Sequence, residues 1–275
     1  MLETSNLGSV FRALHQREGA FVIPNPWDVG SARILASMRF EALATTSAGM
    51  AFALGSQEGT VSRADTLEHC RRIVEATTLP VSADLEKGFG DSPDRVAETI
   101  LAATQTGLAG GSIEDHSGDP SNPIFNFELA VERIAAAVEA SHSLEQDFVL
   151  TARSENFLWG RCDLDDTIRR LQAFSQAGAD VLYAPGLHDI GSIRTLCAAV
   201  DKPVNVVMGM PGASFTVEQL AAAGVKRISV GSAFARSAFG AFVTAAREII
   251  EQGSFTFADS AIGFAELDAF FPPGR

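Results

Sequence analysis

The sequence predicts an α/β protein of the (β/α)8 TIM-barrel class, and three observations lead to this prediction. Eight short runs rich in apolar and β-branched residues recur along the chain, with helical patterns between them. The runs are almost continuously apolar, as is typical of parallel strands covered on both faces. Alternating strands and helices pair in parallel through right-handed crossovers, and eight such units within 275 residues are enough to close a barrel.

The predicted strands share this apolar character. They are Ala20–Pro24, Ala42–Thr46, Pro80–Asp84, Gly110–Glu114, Phe148–Arg153, Asp180–Ala184, Pro203–Val207 and Lys226–Val230. The clearest helical patterns between them are Ser62–Thr77, Ser92–Gly107, Phe127–Ser141 and Asp163–Ala177. Asp163 and Thr216 are expected to cap helix N-termini. Three glycines are expected at helix ends, namely Gly107, Gly178 and Gly224.

The chain contains no linker-like stretch, so we predict one barrel domain over residues 1–275. The segment Ser260–Phe271, with the sequence SAIGFAELDAFF, follows the eighth unit and has an apolar face. A single barrel leaves nothing for this face to cover. We therefore predict that residues 260–271 form a helix that packs on a neighbouring subunit of a homo-oligomer.

Composition excludes several classes of partner. The net charge is −13, which argues against nucleic acid and anionic membrane surfaces because both need a basic face. No apolar stretch has the length of a membrane span, and the N-terminus has no apolar signal core. The three cysteines are far apart and form no CxxC pair, which argues against disulfides and zinc–thiolate sites. We expect a cytoplasmic protein.

Acidic residues gather where the third to fifth predicted strands end. Asp84 and Glu86 lie in PVSADLEKGFGD, and Glu114 lies in GGSIEDH. The active-site groups of a (β/α)8 barrel come from these C-terminal strand ends, so the three carboxylates should share one mouth. A hard divalent cation removes their mutual repulsion, and oxygen ligands without His or Cys favour Mg²⁺ or Mn²⁺ over Zn²⁺.

Two other motifs contain groups that can bind an anionic part of a substrate. Arg153, in TARSENF, can bind a substrate carboxylate or a developing enolate, or it can form a salt bridge to Glu114 or Glu155; both roles can coexist. The run Val230–Arg236, VGSAFAR, is typical of a glycine turn before a helix and could hold phosphate. An unrelated phosphate-binding barrel is therefore one alternative.

The motifs PNPWDVGSARI, TTSAGMAFALGSQEG, PVSADLEKGFGD, GGSIEDH and TARSENF together resemble the isocitrate lyase/phosphoenolpyruvate mutase superfamily over nearly the whole chain. The resemblance implies a barrel whose last helix is exchanged with a neighbouring subunit, in homodimers or homotetramers. It also implies Mg²⁺ chelated by a small 2-oxo carboxylate.

The resemblance implies metal-binding roles for four acids. Asp84 matches the direct Mg²⁺ ligand, and Glu86 and Glu114 match acids that hold metal-bound waters. Glu58, in LGSQEG, matches a further acid near the metal. Glu58 and Glu86 replace the usual Asp, which lengthens their reach.

The resemblance also implies substrate contacts. Thr46 and Ser47 match the cradle for a substrate carboxylate or phosphonyl group. Arg153 matches the arginine that binds the carboxylate and oxo groups of the substrate. Glu114 joins it in the predicted catalytic set.

The loop after the fourth strand departs from the superfamily lyases. Its sequence, HSGDPSNPIFN, lacks their Lys-Lys-Cys-Gly-His motif, which argues against a standard isocitrate or methylisocitrate lyase. Asn122 matches an Asn of the mutase and phosphonopyruvate hydrolase branch, but Pro120 stands where that branch has Lys. His116, Asn122 and Tyr183 are candidates for the proton donor, and the loop 115–125 is expected to act as a lid.

We therefore expect a Mg²⁺-dependent enzyme acting on a small 2-oxo or 2-hydroxy acid. The expected reaction is C–C cleavage or decarboxylation through a metal-stabilised enolate. Two alternatives remain open besides the phosphate-binding barrel. One is P–C bond chemistry of the phosphonopyruvate hydrolase or mutase type, and the other is non-catalytic binding of a 2-oxo acid such as 2-oxoglutarate.

Overall fold

Eight parallel strands form one sheet in a computed structural model that describes residues 7–143, 145–212 and 214–271. The hydrogen-bonded order of the strands is β1-β8-β7-β6-β5-β4-β3-β2. Their bounds are β1 Phe21–Ile23, β2 Leu43–Ala44, β3 Val81–Asp84, β4 Gly110–Glu114, β5 Val149–Arg153, β6 Val181–Tyr183, β7 Val204–Val207 and β8 Arg227–Ser229. Each lies within a predicted strand.

The seam between β1 and β2 is bridged just beyond the ladder. The backbone N–H of Ala44 donates to the carbonyl of Pro24 at 3.0 Å. The side-chain amide of Asn25 donates to the carbonyl of Thr45, also at 3.0 Å. These two bonds bring the edge strands together into a nearly closed barrel, so the predicted (β/α)8 fold is confirmed.

Helices surround the strands. Within the described residues they are α1 Leu7–Gln16, α2 Val29–Ser37, α3 Ser47–Ala53, α4 Arg63–Glu75, α5 Pro93–Thr104, α6 Phe127–His142, α7 Leu164–Gln176, α8 Ile190–Ala199, α9 Val217–Ala222, α10 Ala233–Gln252 and α11 Phe264–Asp268. A 3-10 turn, Thr256–Ser260, separates the last two. None of the described helices combines the length and the hydrophobicity needed to cross a membrane.

The predicted helix boundaries are confirmed where local chemistry decides them. Asp163 and Thr216 cap α7 and α9, each accepting a hydrogen bond from a backbone N–H in the first turn. Gly107, Gly178 and Gly224 follow helices and have φ angles of 84°, 105° and 96°. Residues with a side chain rarely adopt such angles, which explains glycine at these positions.

Helix α1 covers the N-terminal end of the barrel. Arg12 pairs with Asp147 and Asp180, which lie just before β5 and β6. Phe11 and His15, on the same helix, are buried. Because α1 covers this end, a ligand has to enter from the opposite end, where the strands terminate.

The barrel interior is unusually polar for a folded core. The inner strand positions include buried residues with hydroxyl, amide and guanidinium groups, namely Thr45, Ser82, Ser112, Thr151, Asn205, Arg227 and Ser229. Apolar side chains instead fill the space between the strands and the outer helices. A few polar groups that converge inside a barrel are a feature of ligand cavities, where they orient the bound molecule.

The C-terminal region differs from the prediction in its helix boundaries. Residues 260–271 do not form one helix, since only Phe264–Asp268 is α-helical within them. The larger apolar surface lies on α10, where Phe242 is 69% and Ile250 84% exposed. The sequence indicated a helix after the glycine turn at Val230–Arg236, but it did not place the exposed apolar surface there. Exchange of a C-terminal helix with a neighbour stays a prediction.

Candidate active site

A cavity of about 300 Å³ extends from the C-terminal strand ends into the barrel. Its upper part is lined by Thr46, Ser47, Glu58, Asp84 and Arg153. Its lower part is lined by the inner polar residues, including Ser82, Ser112, Tyr183, Asn205, Arg227 and Ser229. The cavity therefore occupies the place where barrel enzymes bind their substrates.

Arg153, the last residue of β5, joins three carboxylates in the upper part of the site. Its Nη1 donates to Asp84 Oδ1 at 2.9 Å. Its Nη2 lies 3.2 Å from Glu114 Oε2 and 2.9 Å from Glu155 Oε1. One buried guanidinium thus lies among acids from the ends of three neighbouring strands, and the salt bridges considered from the sequence are present.

Two hydrogen bonds hold the Asp84 carboxylate at the end of β3. Its Oδ2 accepts from the Ser47 hydroxyl at 2.9 Å, and its Oδ1 accepts from the Glu86 backbone N–H at 3.3 Å. The Ser47 hydroxyl also lies 3.2 Å from Glu58 Oε1. Ser47 therefore brings two of the predicted metal-binding acids to one position, although they are 26 residues apart in sequence.

Glu86 carries the clearest sign of a missing partner. Its φ of 49° is a left-handed backbone angle that residues with side chains rarely adopt. Its Oε1 is buried and has no hydrogen-bond partner among the described residues. Burial, together with the nearby Asp84 and Glu114 carboxylates, raises the pKa of Glu86 to about 8. A cation at this place would supply the missing interaction.

These acids fit a hydrated Mg²⁺ or Mn²⁺ ion better than a fully protein-coordinated metal. Within residues 7–143, 145–212 and 214–271, no group of three or more His, Cys, Asp or Glu side chains is arranged to bind one metal ion directly. Mg²⁺ keeps several of its waters and commonly takes only one or two carboxylates directly. The unpaired Glu86 oxygen and the oxygen-only donor set suit such an ion.

His116 and Asn122 lie beside the cavity rather than on its described lining. The His116 ring stacks on Trp159 with ring centres 3.9 Å apart, and its Nδ1 lies 3.7 Å from Glu114 Oε1. The Asn122 side chain is exposed and accepts a hydrogen bond from Arg161 at 3.1 Å. Both contacts tie the loop after β4 to the loop after β5.

Tyr183 is the proton-donor candidate that does line the cavity. The centre of its ring lies 5.0 Å from Cζ of Arg153. Burial raises the pKa of the Tyr183 hydroxyl, and the Arg153 guanidinium opposes that rise. The hydroxyl therefore keeps its proton at neutral pH and is available as a donor.

The glycine turn at Val230–Arg236 does not offer its first amides to a ligand. The backbone N–H groups of Val230 and Gly231 donate to Asn25 Oδ1 at 2.9 and 3.0 Å. A phosphate would have to displace that side chain. This contact removes the main observation in favour of an unrelated phosphate-binding barrel.

Asp115 supports the site from beneath, a role that the sequence did not indicate. Its Oδ1 accepts from the backbone N–H of Glu155 at 2.8 Å, and its Oδ2 lies 3.2 Å from Arg170 Nη1. Burial raises the pKa of Asp115 to about 6, while these two donors oppose the rise. The pair therefore fixes the backbone that carries Glu155 beside Arg153.

Arg133, on α6, anchors the loop that follows the acidic pair. It is 1% exposed and donates to the carbonyls of Gly90 at 2.7 Å and Asp91 at 2.6 Å, and also to that of Lys87. Its Cζ lies 4.3 Å from the centre of the Phe125 ring at the end of the β4 loop. One guanidinium therefore supports both loops that border the acids.

Replacing Arg133 by Met should lower the free energy of unfolding by about 3 kcal/mol, because three partly buried loop carbonyls lose their donors. Urea unfolding measures the change. Arg72→Met, on the exposed surface of α4, is the matched control and should change stability by less than about 0.5 kcal/mol. Equal effects of the two substitutions would contradict the anchoring role.

Together these features define an enzyme-type (β/α)8 barrel with an acid-rich site built around one arginine. Residues 11–250 match the family described as phosphoenolpyruvate phosphomutase. The chain is 31% identical over 228 residues to 2-methylisocitrate lyase of Escherichia coli (strain K12), covering 79% of this chain and 76% of that protein. It is 29% identical over 208 residues to an oxaloacetate decarboxylase of Ectopseudomonas mendocina (strain ymp), covering 73% and 70%.

A solved structure shows the same similarity in three dimensions. The crystal structure of a putative lyase/mutase from Burkholderia cenocepacia J2315 superposes with a TM-score of 0.96 at 54% identity, covering 98% of each chain. The chain therefore belongs to the phosphoenolpyruvate phosphomutase family, within the isocitrate lyase/PEP mutase superfamily, and the predicted membership is confirmed. It is a carbon–carbon lyase-like enzyme of that superfamily.

Proposed function

We propose that the protein is a Mg²⁺-dependent lyase, also able to use Mn²⁺, that breaks a C–C bond of a small 2-oxo or 2-hydroxy carboxylic acid by cleavage or decarboxylation. The observation that carries the proposal is the Arg153 cluster, in which one guanidinium faces Asp84 and Glu114 beside the unpaired Glu86 oxygen. Relatives named 2-methylisocitrate lyase and oxaloacetate decarboxylase support C–C chemistry on small acids.

Asp84 is the residue proposed to hold the metal directly, with Glu58, Glu86 and Glu114 contacting its waters. When bound, the ion supplies Lewis-acid polarisation of the carboxylate and oxo oxygens of the substrate. Ser47 orients Asp84 through the hydrogen bond from its hydroxyl. Thr46, whose side chain caps α3, places the following backbone at the cavity wall, where the substrate carboxylate is proposed to bind.

Arg153 is proposed to bind the substrate carboxylate and to stabilise the negative charge that develops as the C–C bond breaks. Its Nη atoms already contact Asp84 and Glu114, so the charge would develop in a field that is fixed before the reaction. Tyr183 is the best-placed proton donor to the resulting enolate, because its hydroxyl is protonated and it lines the cavity. His116 is held by Trp159 outside the described lining.

A substrate panel tests the proposal directly. Oxaloacetate, 2-oxo acids, 2-hydroxy acids and phosphonopyruvate are incubated with the protein and Mg²⁺, Mn²⁺ or EDTA. The proposal predicts divalent-dependent release of CO₂ or of a smaller 2-oxo acid. Phosphate release from phosphonopyruvate alone would instead indicate P–C chemistry. Tight binding without turnover across the panel would indicate a binding protein.

We also propose that the protein forms homodimers or homotetramers through α10. Six large apolar side chains on this helix are at least one third exposed, namely Phe234, Phe239, Phe242, Val243, Ile249 and Ile250. A surface of this kind usually marks a protein–protein contact. The helix exchange expected from the resemblance was predicted for residues 260–271, and this proposal moves the contact to α10 instead.

The double substitution Phe242→Glu and Ile250→Glu should convert the oligomer to a smaller species, because both charges would be buried in the contact. Light scattering after size-exclusion chromatography measures the mass. Met38→Glu, at a 56% exposed position after α2, is the control and should leave the mass unchanged. A monomeric wild-type protein would contradict this proposal without bearing on the reaction.

A further inference from the structure

A row of cavity-lining residues crosses four neighbouring strands. Arg153 on β5 is in register with Tyr183 on β6. Tyr183 is in register with Asn205 on β7, which is in register with Arg227 on β8. Residues in register on parallel strands direct their side chains to the same face of the sheet, and these four all line the cavity. The row runs from the last residue of β5 to the first residue of β8, so it connects the mouth of the barrel with its interior.

The Arg227 guanidinium at the inner end of this row is held at every nitrogen. Its Nε donates to Asn205 Oδ1 at 2.8 Å, and its Nη2 donates to Thr151 Oγ1 at 3.0 Å. Its Nη1 lies 3.4 Å from His15 Nε2. All three partners are uncharged, because burial, together with Arg227, lowers the pKa of His15 to about 3. In the part of the chain that the structure describes, Arg227 forms no ion pair, so its position is fixed while its charge is not balanced.

The contacts of Arg227 set the direction of the hydrogen bonds that lead to Tyr183. An arginine can only donate, so Asn205 has to turn its Oδ1 toward the guanidinium and its Nδ2 toward Ser229 Oγ, 3.1 Å away. Ser229 Oγ accepts there, which leaves its own proton for another oxygen. Burial raises the pKa of Tyr183, and a hydrogen bond from the Ser229 side chain opposes that rise. Each donor from Arg227 through Asn205 to Ser229 therefore points toward the Tyr183 oxygen.

A tyrosine that gives up its proton in this place needs positive surroundings. The Cζ atom of Arg153 lies 5.0 Å from the centre of the Tyr183 ring on the mouth side. On the inner side, burial lowers the pKa of Arg227 to about 10, and negative charge on Tyr183 opposes that fall. The counter-charge that Arg227 lacks therefore arises only when Tyr183 is ionised. A buried cation with neutral partners is costly, so a functional reason for it is worth seeking.

We propose that Arg227, Asn205 and Ser229 are positioning residues that align the Tyr183 hydroxyl for proton donation and stabilise the tyrosinate that remains. This inference rests on the proposed function, in which an enolate is the proton acceptor. The phenolic O–H bond breaks as the proton forms a C–H bond at the enolate carbon. The enolate becomes the carbonyl product, and its negative charge passes to the Tyr183 oxygen. Water that enters when the product leaves returns the proton.

Direct titration of Tyr183 tests the inference without any substrate. Tyr183 is the only tyrosine in the sequence, so growth on 3,5-difluorotyrosine labels this position alone. The fluorinated phenol ionises at a lower pH than tyrosine does, and ¹⁹F NMR follows its ionisation. The titration is done in EDTA, so that the charged groups near the ring, Arg153, Glu155, Asp84 and Arg227, are the same in wild type and in a Ser229 variant.

Ser229→Ala should shift the midpoint of this titration upward by about one pH unit, because the tyrosinate loses a hydrogen-bond donor. Asn205→Asp should act in the same direction. Its carboxylate still accepts from Arg227 but cannot donate to Ser229, which then turns its proton away from Tyr183. Ser175→Ala is the matched control. Ser175 and Ser229 are both 8% exposed, but Ser175 contacts Asp201 outside the cavity, so the midpoint should not move. An unchanged midpoint in both cavity variants would overturn the inference.

A double-mutant cycle tests the catalytic consequence on the substrate found in the panel. Ser229→Ala should lower kcat by about ten-fold and leave KM within about two-fold of the wild-type value. In a Tyr183→Phe background the same substitution should have no further effect on kcat, because the hydroxyl that it positions is absent. A merely structural role of Ser229 would lower kcat equally in both backgrounds, and that result would overturn the inference.

Failure of the proposed function gives a different pattern. In that case no acid of the panel is turned over, yet the fluorotyrosine titration can still be measured. A midpoint that moves in the Ser229 and Asn205 variants would then support the alignment of Tyr183 although the proposed reaction is wrong. Turnover together with an unchanged midpoint would overturn the alignment and leave the proposed reaction in place.

Discussion

Replacing Arg153 by Gln should lower kcat/KM by about 10³-fold, which corresponds to roughly 4 kcal/mol of transition-state stabilisation. The guanidinium contacts Asp84, Glu114 and Glu155 together. Its loss removes the proposed contact to the substrate and leaves three carboxylates without their shared partner. Steady-state kinetics on the substrate found in the panel measure the effect.

Arg153→Lys separates charge from geometry. A lysine restores one positive charge but cannot form the forked contacts to several oxygens, so activity should recover only partly. Arg72→Gln, on the outer surface of α4, is the matched control and should retain wild-type activity. Thermal unfolding has to be measured for each variant, because a buried Glu155 without its partner also destabilises the fold. Wild-type kinetics in a folded Arg153→Gln variant would exclude the proposed role.

The position of the acids was predictable from the sequence because strand ends determine it. Asp84 and Glu114 end two neighbouring apolar runs, and parallel strands place their C-terminal ends at one edge. The helix caps were predictable for a similar reason, since Asp163 acts on a backbone group only three residues away. In these cases the contact is local, or the fold class fixes it.

Contacts between distant segments were not predictable. Nothing near Val230 in the sequence indicates that its amide donates to Asn25, some 205 residues away. Arg227 was included in an apolar strand, and its polar surroundings arise only when β5, β7 and α1 meet inside the barrel. The buried Asp115–Arg170 pair likewise links two segments that are 55 residues apart. Such pairs depend on tertiary packing that local patterns do not encode.

The exposed apolar surface of α10 is another feature that the sequence did not predict correctly. The sequence contains two apolar segments after β8, and the prediction placed the leftover surface in residues 260–271. The structure places most of it on α10, with Phe242 and Ile250 exposed. An amphipathic pattern predicts a helix with an apolar face, but it does not say whether that face covers the helix's own barrel or a neighbouring subunit.

Asp84→Asn should abolish divalent-dependent substrate binding and lower activity by about 10³-fold or more. The substitution keeps the side-chain shape and can still accept from Ser47, so the fold should persist. It removes the charge that is proposed to contact the metal directly and one partner of Arg153. Calorimetric titration of Mg²⁺ in the presence of a 2-oxo acid measures the loss. Asp91→Asn, at a 67% exposed side chain paired with Lys87, is the control and should bind normally.

Glu86→Gln should raise stability while it weakens metal binding, so it tests the proposed cation site independently of Asp84→Asn. Glu86 is buried beside Asp84 and its pKa is raised to about 8, so the metal-free protein has to bind a proton there on folding at pH 7. Glutamine removes that cost and should stabilise the metal-free protein by about 1 kcal/mol. The same change should weaken Mg²⁺ binding by about 10- to 100-fold, because one water-contacting carboxylate is lost. A cation site requires both changes together. If the protein is stabilised but its Mg²⁺ affinity is unchanged, the acids only repel one another and do not form a cation site. The positive charge of Arg153 would then be the group that offsets their repulsion at the C-terminal end of the barrel.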